Sequence, residues 1–260
     1  MIGDLLLLSG NDIPFPEAQV TIHQPTLKEI AYIGEDKFFV GCGFLDFSKK
    51  ILSDSDKTRL ENHNDFDIFM SIIINSSKDV KSSIESAFLV LALIFPLYDI
   101  SVRDNVIVLT KDNEEHTINR NNFEAFKEII STMFNLKLGA ADDEYNPTGD
   151  MAARIAAKFK KRHEKLAQLA NQSSKEKSIS ILSRYVSILA VGAQKDLNNL
   201  MQYTVYQLYD EFQRFQLKMQ WDAHIQAKMA GAQNLDEVDN WLIDLRDQGK
   251  NQNHNNQKIK

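Results

Sequence analysis

The chain has 260 residues, 43% hydrophobic and 25% charged, which supplies apolar material for one large core or two small ones and argues against wholesale disorder. Its formal net charge of −6 disfavours non-specific nucleic-acid binding by the chain as a whole. The one cysteine, Cys42, excludes an internal disulfide and thiolate zinc sites, and such cysteine economy suits a reducing compartment. Within Phe38–Phe44 it reads as a small buried thiol rather than a nucleophile. The stretch Met1 to Gly10 has no basic n-region and is interrupted by Asp4, so it makes a poor signal peptide. The longest apolar run, Ala87 to Phe95, is too short to cross a bilayer and stops at Pro96. These features predict a soluble chain that its own signals do not export.

In chain order, Pro14 and Pro16 suggest an extended entry, and Val20-Thr21-Ile22 reads as a short β-branched strand ended by Pro25. Thr26-Leu27-Lys28-Glu29 has the pattern of a capping box at a helix start. Ile30, Ile33, Phe38 and Phe44 would line its buried side, with Gly34, Gly41 and Gly43 arguing against one unbroken helix. The polar stretch Ser53 to Asn64 reads as a loop. Asp65 is the expected cap of a helix carrying Phe66, Phe69 and Ile73, and a further helix spans about Val80 to Phe95, apolar nearly all round in its second half. After Pro96 the period changes to two. Tyr98, Ile100 and Val102 alternate, Asp104-Asn105 offers a turn, and Val106 to Leu109 completes a hairpin to which Ile118 adds a third short strand. Asn121 with Glu124 would cap a helix holding Phe123, Phe126, Ile130 and Phe134.

Residues 139–150 hold Gly139, Gly149, the acid run Asp142-Asp143-Glu144 and Asn146-Pro147, the composition of a linker. The division is therefore a small N-terminal α+β domain with a β-hairpin or short antiparallel sheet (1–138), the linker, an all-helical C-terminal domain (151–246) and a disordered Asn, Gln and Lys tail (247–260). Met151, Ile155, Phe159, Leu166 and Leu169 form one narrow apolar face. A second helix begins at Ser178, with Ile179, Leu182, Val186 and Leu189 on a common side, and ends at Gly192. The third, from about Asn198 to Ala230, carries Met201, Val205, Leu208, Phe212, Phe215 and Met219 at alternating spacings of four and three, an apolar seam of coiled-coil type stopped by Gly231. A short final helix, Leu235 to Leu245, bears Trp241.

No catalytic constellation emerges. The six histidines pair with no other ligand at recognised metal spacing and read as surface or core residues; Gly41-Cys42-Gly43 lacks the third glycine and strand-to-helix setting of a phosphate loop. A nucleophile elbow and a zincin motif are absent, so no enzyme activity, metal or cofactor is expected. The helix 151–169 carries Lys158 and Arg162 among six basic residues against one acid, Glu164. Read as a solvated face it needs no partner; read functionally it would contact phosphates or an acidic surface, although no aromatics interleave to stack bases. Tyr203, Tyr206, Tyr209 and Trp221 flank the apolar seam. They fit a partner-binding flank, and equally a packing surface for the helix at Ile179 to Leu189.

Three segments in this order, YNPTGDMAARIAAKFKKRHEKLA (Tyr145–Ala167), SILSRYVSILAVG (Ser180–Gly192) and LMQYTVYQLYDEFQRFQLKMQWDAHIQAKMAGA (Leu200–Ala232), resemble a family of proteins from phage tail gene clusters. The opening IPFPEAQVTIHQPTLKEIAYIGEDKFF (Ile13–Phe39) resembles the start of the same family. These proteins look like the tail assembly chaperones encoded before the tape measure protein in long-tailed phages. The resemblance implies a non-catalytic protein of the host cytoplasm that binds the tape measure protein and keeps it soluble during tail morphogenesis. Contact with the tail tube protein and self-association are further partner expectations; membrane and nucleic acid are not. Two other classes stand beside it: a structural component of the virion tail or neck, and a nucleic-acid-binding regulator using the basic helix 151–169.

Overall fold

The computed structural model describes residues 2–46, 64–75, 81–136, 180–232, 238, 240–242 and 245. After a short helix α1 (Asp4–Ser9), the proline-bearing entry is a strand, β1 (Ile13–Phe15), paired antiparallel with β2 (Val20–Ile22). Alternation puts Ile13, Phe15, Val20 and Ile22 in the core. The capping box is present. Thr26 Oγ1 accepts from the Glu29 amide at 3.3 Å, and the Glu29 carboxylate accepts from the Thr26 amide at 2.7 Å, starting α2 (Leu27–Ile33). Gly34, at φ +91, ends α2 and redirects the chain into α3 (Glu35–Leu45), which runs on through Gly41 and Gly43.

Helix α4 (Asp65–Ile74) is capped one residue earlier than the sequence suggested: Asn64 Oδ1 accepts from the Asp67 amide at 2.8 Å, and Asp65 is the first helical residue. Freed from capping, the Asp65 carboxylate pairs with Lys127 at 2.9 Å, and Lys127 also meets Glu124 at 2.9 Å. Burial alone would lower the Lys127 ammonium; these two carboxylates more than offset it and hold its pKa above the ordinary lysine value. Helix α5 (Lys81–Ile94) packs on α3 at close range, because a Cβ at Gly41 would overlap the Ser86 carbonyl and the Val90 side chain.

The hairpin is extended by one strand. β3 (Asp99–Arg103), β4 (Val106–Lys111) and β5 (Glu114–Ile118) form an antiparallel sheet in that order. Both two-residue turns, Asp104-Asn105 and Asp112-Asn113, have positive φ throughout, the mirror-image turn whose twist matches that of the strands. Helix α6 (Phe123–Met133) follows. Its expected Asn121–Glu124 cap is not formed. Instead Asn122 closes the turn, accepting from the Asn119 amide at 2.7 Å and donating to the Thr117 carbonyl at 2.8 Å.

Past residue 180 every described element is a helix, so the chain is α+β as expected: α7 (Ile181–Gly192), α8 (Leu197–Leu200) and α9 (Val205–Met229). The single helix expected from about Asn198 is split. A second capping box restarts it, with Thr204 Oγ1 accepting from the Gln207 amide at 3.3 Å and Gln207 Oε1 from the Thr204 amide at 2.8 Å. Met201 and Tyr203 therefore precede α9. Gly231 has φ +85 just past its end.

One buried cluster joins the early and late elements, from Leu7 to Phe212. Between them, Thr26 and Thr204 form an antiparallel bridge, and the Leu27 and Lys28 amides donate to the Tyr203 and Met201 carbonyls at 2.8 and 2.9 Å. The linker 139–150, the basic segment 151–169, the tail 247–260, most of the loop before Asn64 and most of the helix expected over Leu235 to Leu245 lie outside the described residues. In that last stretch, Trp241 and Leu242 occupy a turn in which Asn240 Oδ1 accepts from the Leu242 amide at 3.0 Å.

Candidate partner-binding surfaces

Helix α7 is fixed at its start by two separate groups. Ser180 Oγ accepts from the Ser183 amide at 3.1 Å. Glu35, distant in sequence, accepts from the Ile181 and Leu182 amides at 2.6 and 3.0 Å and also hydrogen-bonds the Ser180 hydroxyl. A carboxylate there satisfies amides the helix leaves free and complements its dipole. This long-range cap holds α7 beside the α2–α3 junction and leaves a groove between α2 and α7.

The groove has Leu27, Ile30 and Ala31 on one wall and Leu182, Val186, Ala190 and Val191 on the other, with Leu197 and Met201 near α8; its volume is about 580 Å³. Val191 is 81% exposed and Leu197 55% exposed. Sequence reasoning missed it. The signal was present as an apolar surplus: Ile181, Ile188 and Val191 add to the buried set Leu182, Val186 and Leu189, making α7 apolar on more than one side.

The aromatic residues singled out from the sequence are distributed differently from a single open patch. Tyr209 is half-buried and meets Tyr185 edge-on at 5.4 Å, while Tyr185 stacks on Phe212 at 3.9 Å. Burial first, then Tyr185 and Glu35, push the Tyr209 phenol up to about 12. Tyr203 and Tyr206 are also half-buried and pack against the core. Tyr203 accepts a hydrogen bond from Lys195 Nζ at 2.8 Å, and the same ammonium lies 2.5 Å from Glu211. Trp221 is half-buried on α9 and stacks on His224, 6.5 Å between ring centroids. Lys158 and Arg162 lie outside the described residues.

The apolar seam of α9 is buried over Val205, Leu208 and Phe212 only. Phe215 is half-buried against Gly192, where a Cβ would collide with its ring, and Met219 is 54% exposed. The coiled-coil-type seam expected over Met201 to Met219 is therefore buried only in part: α7 ends at the level of Phe215. A cleft of about 510 Å³ runs beside this part of α9, with Leu8, Tyr203, Phe215 and Trp241 on its walls. Its charged residues are largely neutralised in place, Arg214 by Asp210 at 3.3 Å and Lys218 by Asp222 at 2.6 Å.

Among the described residues, no group of three His, Cys, Asp or Glu side chains is placed to hold a metal ion. Cys42 is fully buried, and burial followed by nearby Asp46 pushes its thiol well up from the ordinary value. No described helix is long and apolar enough to cross a membrane.

Fold and grooves together define an α+β scaffold whose helical side presents apolar surface. Residues 172–245, which include α7, α8 and α9, match the family described as YomV second domain. That family is of phage type, and the match points to a phage protein. No curated protein and no solved structure matches the chain.

Proposed function

We propose that this protein is a phage tail assembly chaperone that binds and solubilises the tape measure protein during tail morphogenesis in the host cytoplasm. The observation that carries the reading is the apolar groove between α2 and α7, exposed at Val191 and Leu197, with its α7 wall built from the segment that matches a phage-type family. A very long helical client exposes apolar stripes that aggregate when unassembled. A groove of this kind takes one such stripe by helix-in-groove docking. Many copies along one client supply avidity from weak single contacts. The half-buried Tyr206 and Trp221 on α9 are the secondary contacts of this reading, while Tyr209 packs edge-on against Tyr185 and Tyr203 accepts from Lys195.

Co-expression of the full chain with a tape measure protein fragment provides the test. The fragment is expected in the soluble fraction only when the chain is present, and the chain is expected to be absent from purified virions. A chain present in virions at stoichiometric level would overturn the chaperone reading in favour of a structural tail or neck component. Salt-dependent DNA binding by the pure chain would favour the regulator.

A further inference from the structure

Among the described residues, β3 is hydrogen-bonded to β4 on one side and to no strand on the other. The turn at Asp104-Asn105 fixes which of its groups face the open side. In a two-residue hairpin the residues flanking the turn, Arg103 and Val106, exchange both of their backbone hydrogen bonds, and hydrogen-bonded pairs then recur at every second residue. Arg103, Ser101 and Asp99 therefore point their amides and carbonyls at β4. Ile100 and Val102 point theirs outward.

An edge of this kind is a template for another strand. Its sequence, Asp99-Ile100-Ser101-Val102-Arg103, is complementary to itself when read in the opposite direction. With a two-fold axis at Ser101, Ile100 faces Val102 of a second copy, and the outward amides and carbonyls of both are used in four hydrogen bonds. In the same register Asp99 faces Arg103 of the copy at both ends, as non-hydrogen-bonded pairs whose side chains approach most closely. Shifting the axis by one residue pairs neither charge. Asp99 is exposed, and Arg103 is 51% exposed; it uses one guanidinium nitrogen on Glu115 at 2.6 Å and keeps the rest of its fork of donors available.

The geometry points to β3 as a self-association edge, through which two copies of this chain pair antiparallel about Ser101 into one continuous six-stranded sheet. The inference does not rest on the chaperone reading. A five-residue edge is a small interface, so the dimer is weak and populates as concentration rises.

The test measures the mass of the full chain by light scattering over a concentration series up to the solubility limit, for the wild type and four samples. Asp99→Arg alone sets Arg against Arg103 of the copy, and Arg103→Asp alone sets Asp against Asp99; each is expected to stay monomeric. The double variant Asp99→Arg with Arg103→Asp restores both pairs and is expected to dimerise like the wild type. So is an equimolar mixture of the two single variants, in which every facing pair is again opposite in charge. Restoration in the mixture also shows that neither single variant has merely misfolded. As a second readout, Ser101→Cys places a thiol on the axis, at a spacing compatible with a disulfide. Mild oxidation is expected to trap a covalent dimer, and the only native cysteine, Cys42, is buried and gives no background. A wild type that is monomeric throughout, single variants that dimerise like it, or a mixture that stays monomeric would each overturn the inference.

Discussion

Helices α6 and α9 are each lined by phenylalanines, and they divide the work of the molecule between them. α6 buries Phe123, Phe126, Ile129, Ile130 and Met133, and even its lysine, Lys127, is enclosed with its two carboxylates. Its phenylalanines are surrounded by others: Phe126 lies 6.1 Å from Phe15 and 6.2 Å from Phe95, and Phe123 lies 4.9 Å from Phe69. α9 is more than twice as long, yet its buried residues are Val205, Leu208, Phe212 and Leu217, while Met219 and Met229 lie on the surface. The length of α6 is set by the core it fills. α9 extends beyond what the fold requires, and surface beyond that requirement is available for other uses.

The sharpest way to break this contrast is to truncate one phenylalanine from each helix. Phe126→Ala leaves a cavity enclosed on all sides and is expected to cost about 4–5 kcal/mol of unfolding free energy. Phe212→Ala removes the ring on which half-buried Tyr185 stacks, at a site that can partly collapse or admit water, and is expected to cost about 3 kcal/mol. Urea unfolding of both variants under one condition measures the order. If Phe212→Ala proves the more damaging, Phe212 is held more tightly by the shared core than Phe126 is, and the contrast fails.

A smaller effect tests the seam between the two regions. Thr26→Ala and Thr204→Ala each remove a helix cap and are expected to cost about 1 kcal/mol. The two threonines are also bridge partners, so loosening one relaxes the other's constraint. The double variant is expected to lose less than the sum of the singles, by about 0.5 kcal/mol or more. Strict additivity would mean the two capped helix starts are energetically independent despite facing each other.

These two caps also mark what the sequence could reveal. Thr26-x-x-Glu29 was legible because a proline precedes it and a clean apolar pattern follows. Thr204-x-x-Gln207 has the same chemistry but lies inside a seam whose spacing runs unbroken from Met201 to Met219, and that periodicity masked a helix start. Period two after Pro96 gave the hairpin, while the second turn, Asp112-Asn113, went unread because charged Lys111 and Glu114–Glu115 interrupt the apolar alternation. The groove was the least legible feature. It depends on Glu35 capping α7 across the fold, and no local pattern predicts which carboxylate will reach a distant helix end.

The smallest stability effect belongs to the groove, and for that reason it separates binding from folding most cleanly. Val191 and Leu197 are exposed, so replacing both with Asp removes little buried apolar area and is expected to change unfolding free energy by no more than about 0.5 kcal/mol per site. Val191 is in the last turn of α7, where an added negative charge meets the negative end of the helix dipole, which accounts for most of any loss. A client helix docking in the groove would instead have to bury two carboxylates against its apolar stripe without partners, a penalty of several kcal/mol that abolishes weak binding. The double variant is therefore expected to melt like the wild type and to fail to keep a co-expressed tape measure fragment soluble. Lys substitutions at the same positions sharpen the test, since their long stems can lie along apolar surface with the charge in water and should impair capture less than Asp does. Full solubilisation by the Asp variant would clear the groove of any role and move the search to α9, beginning with Tyr206 and Trp221.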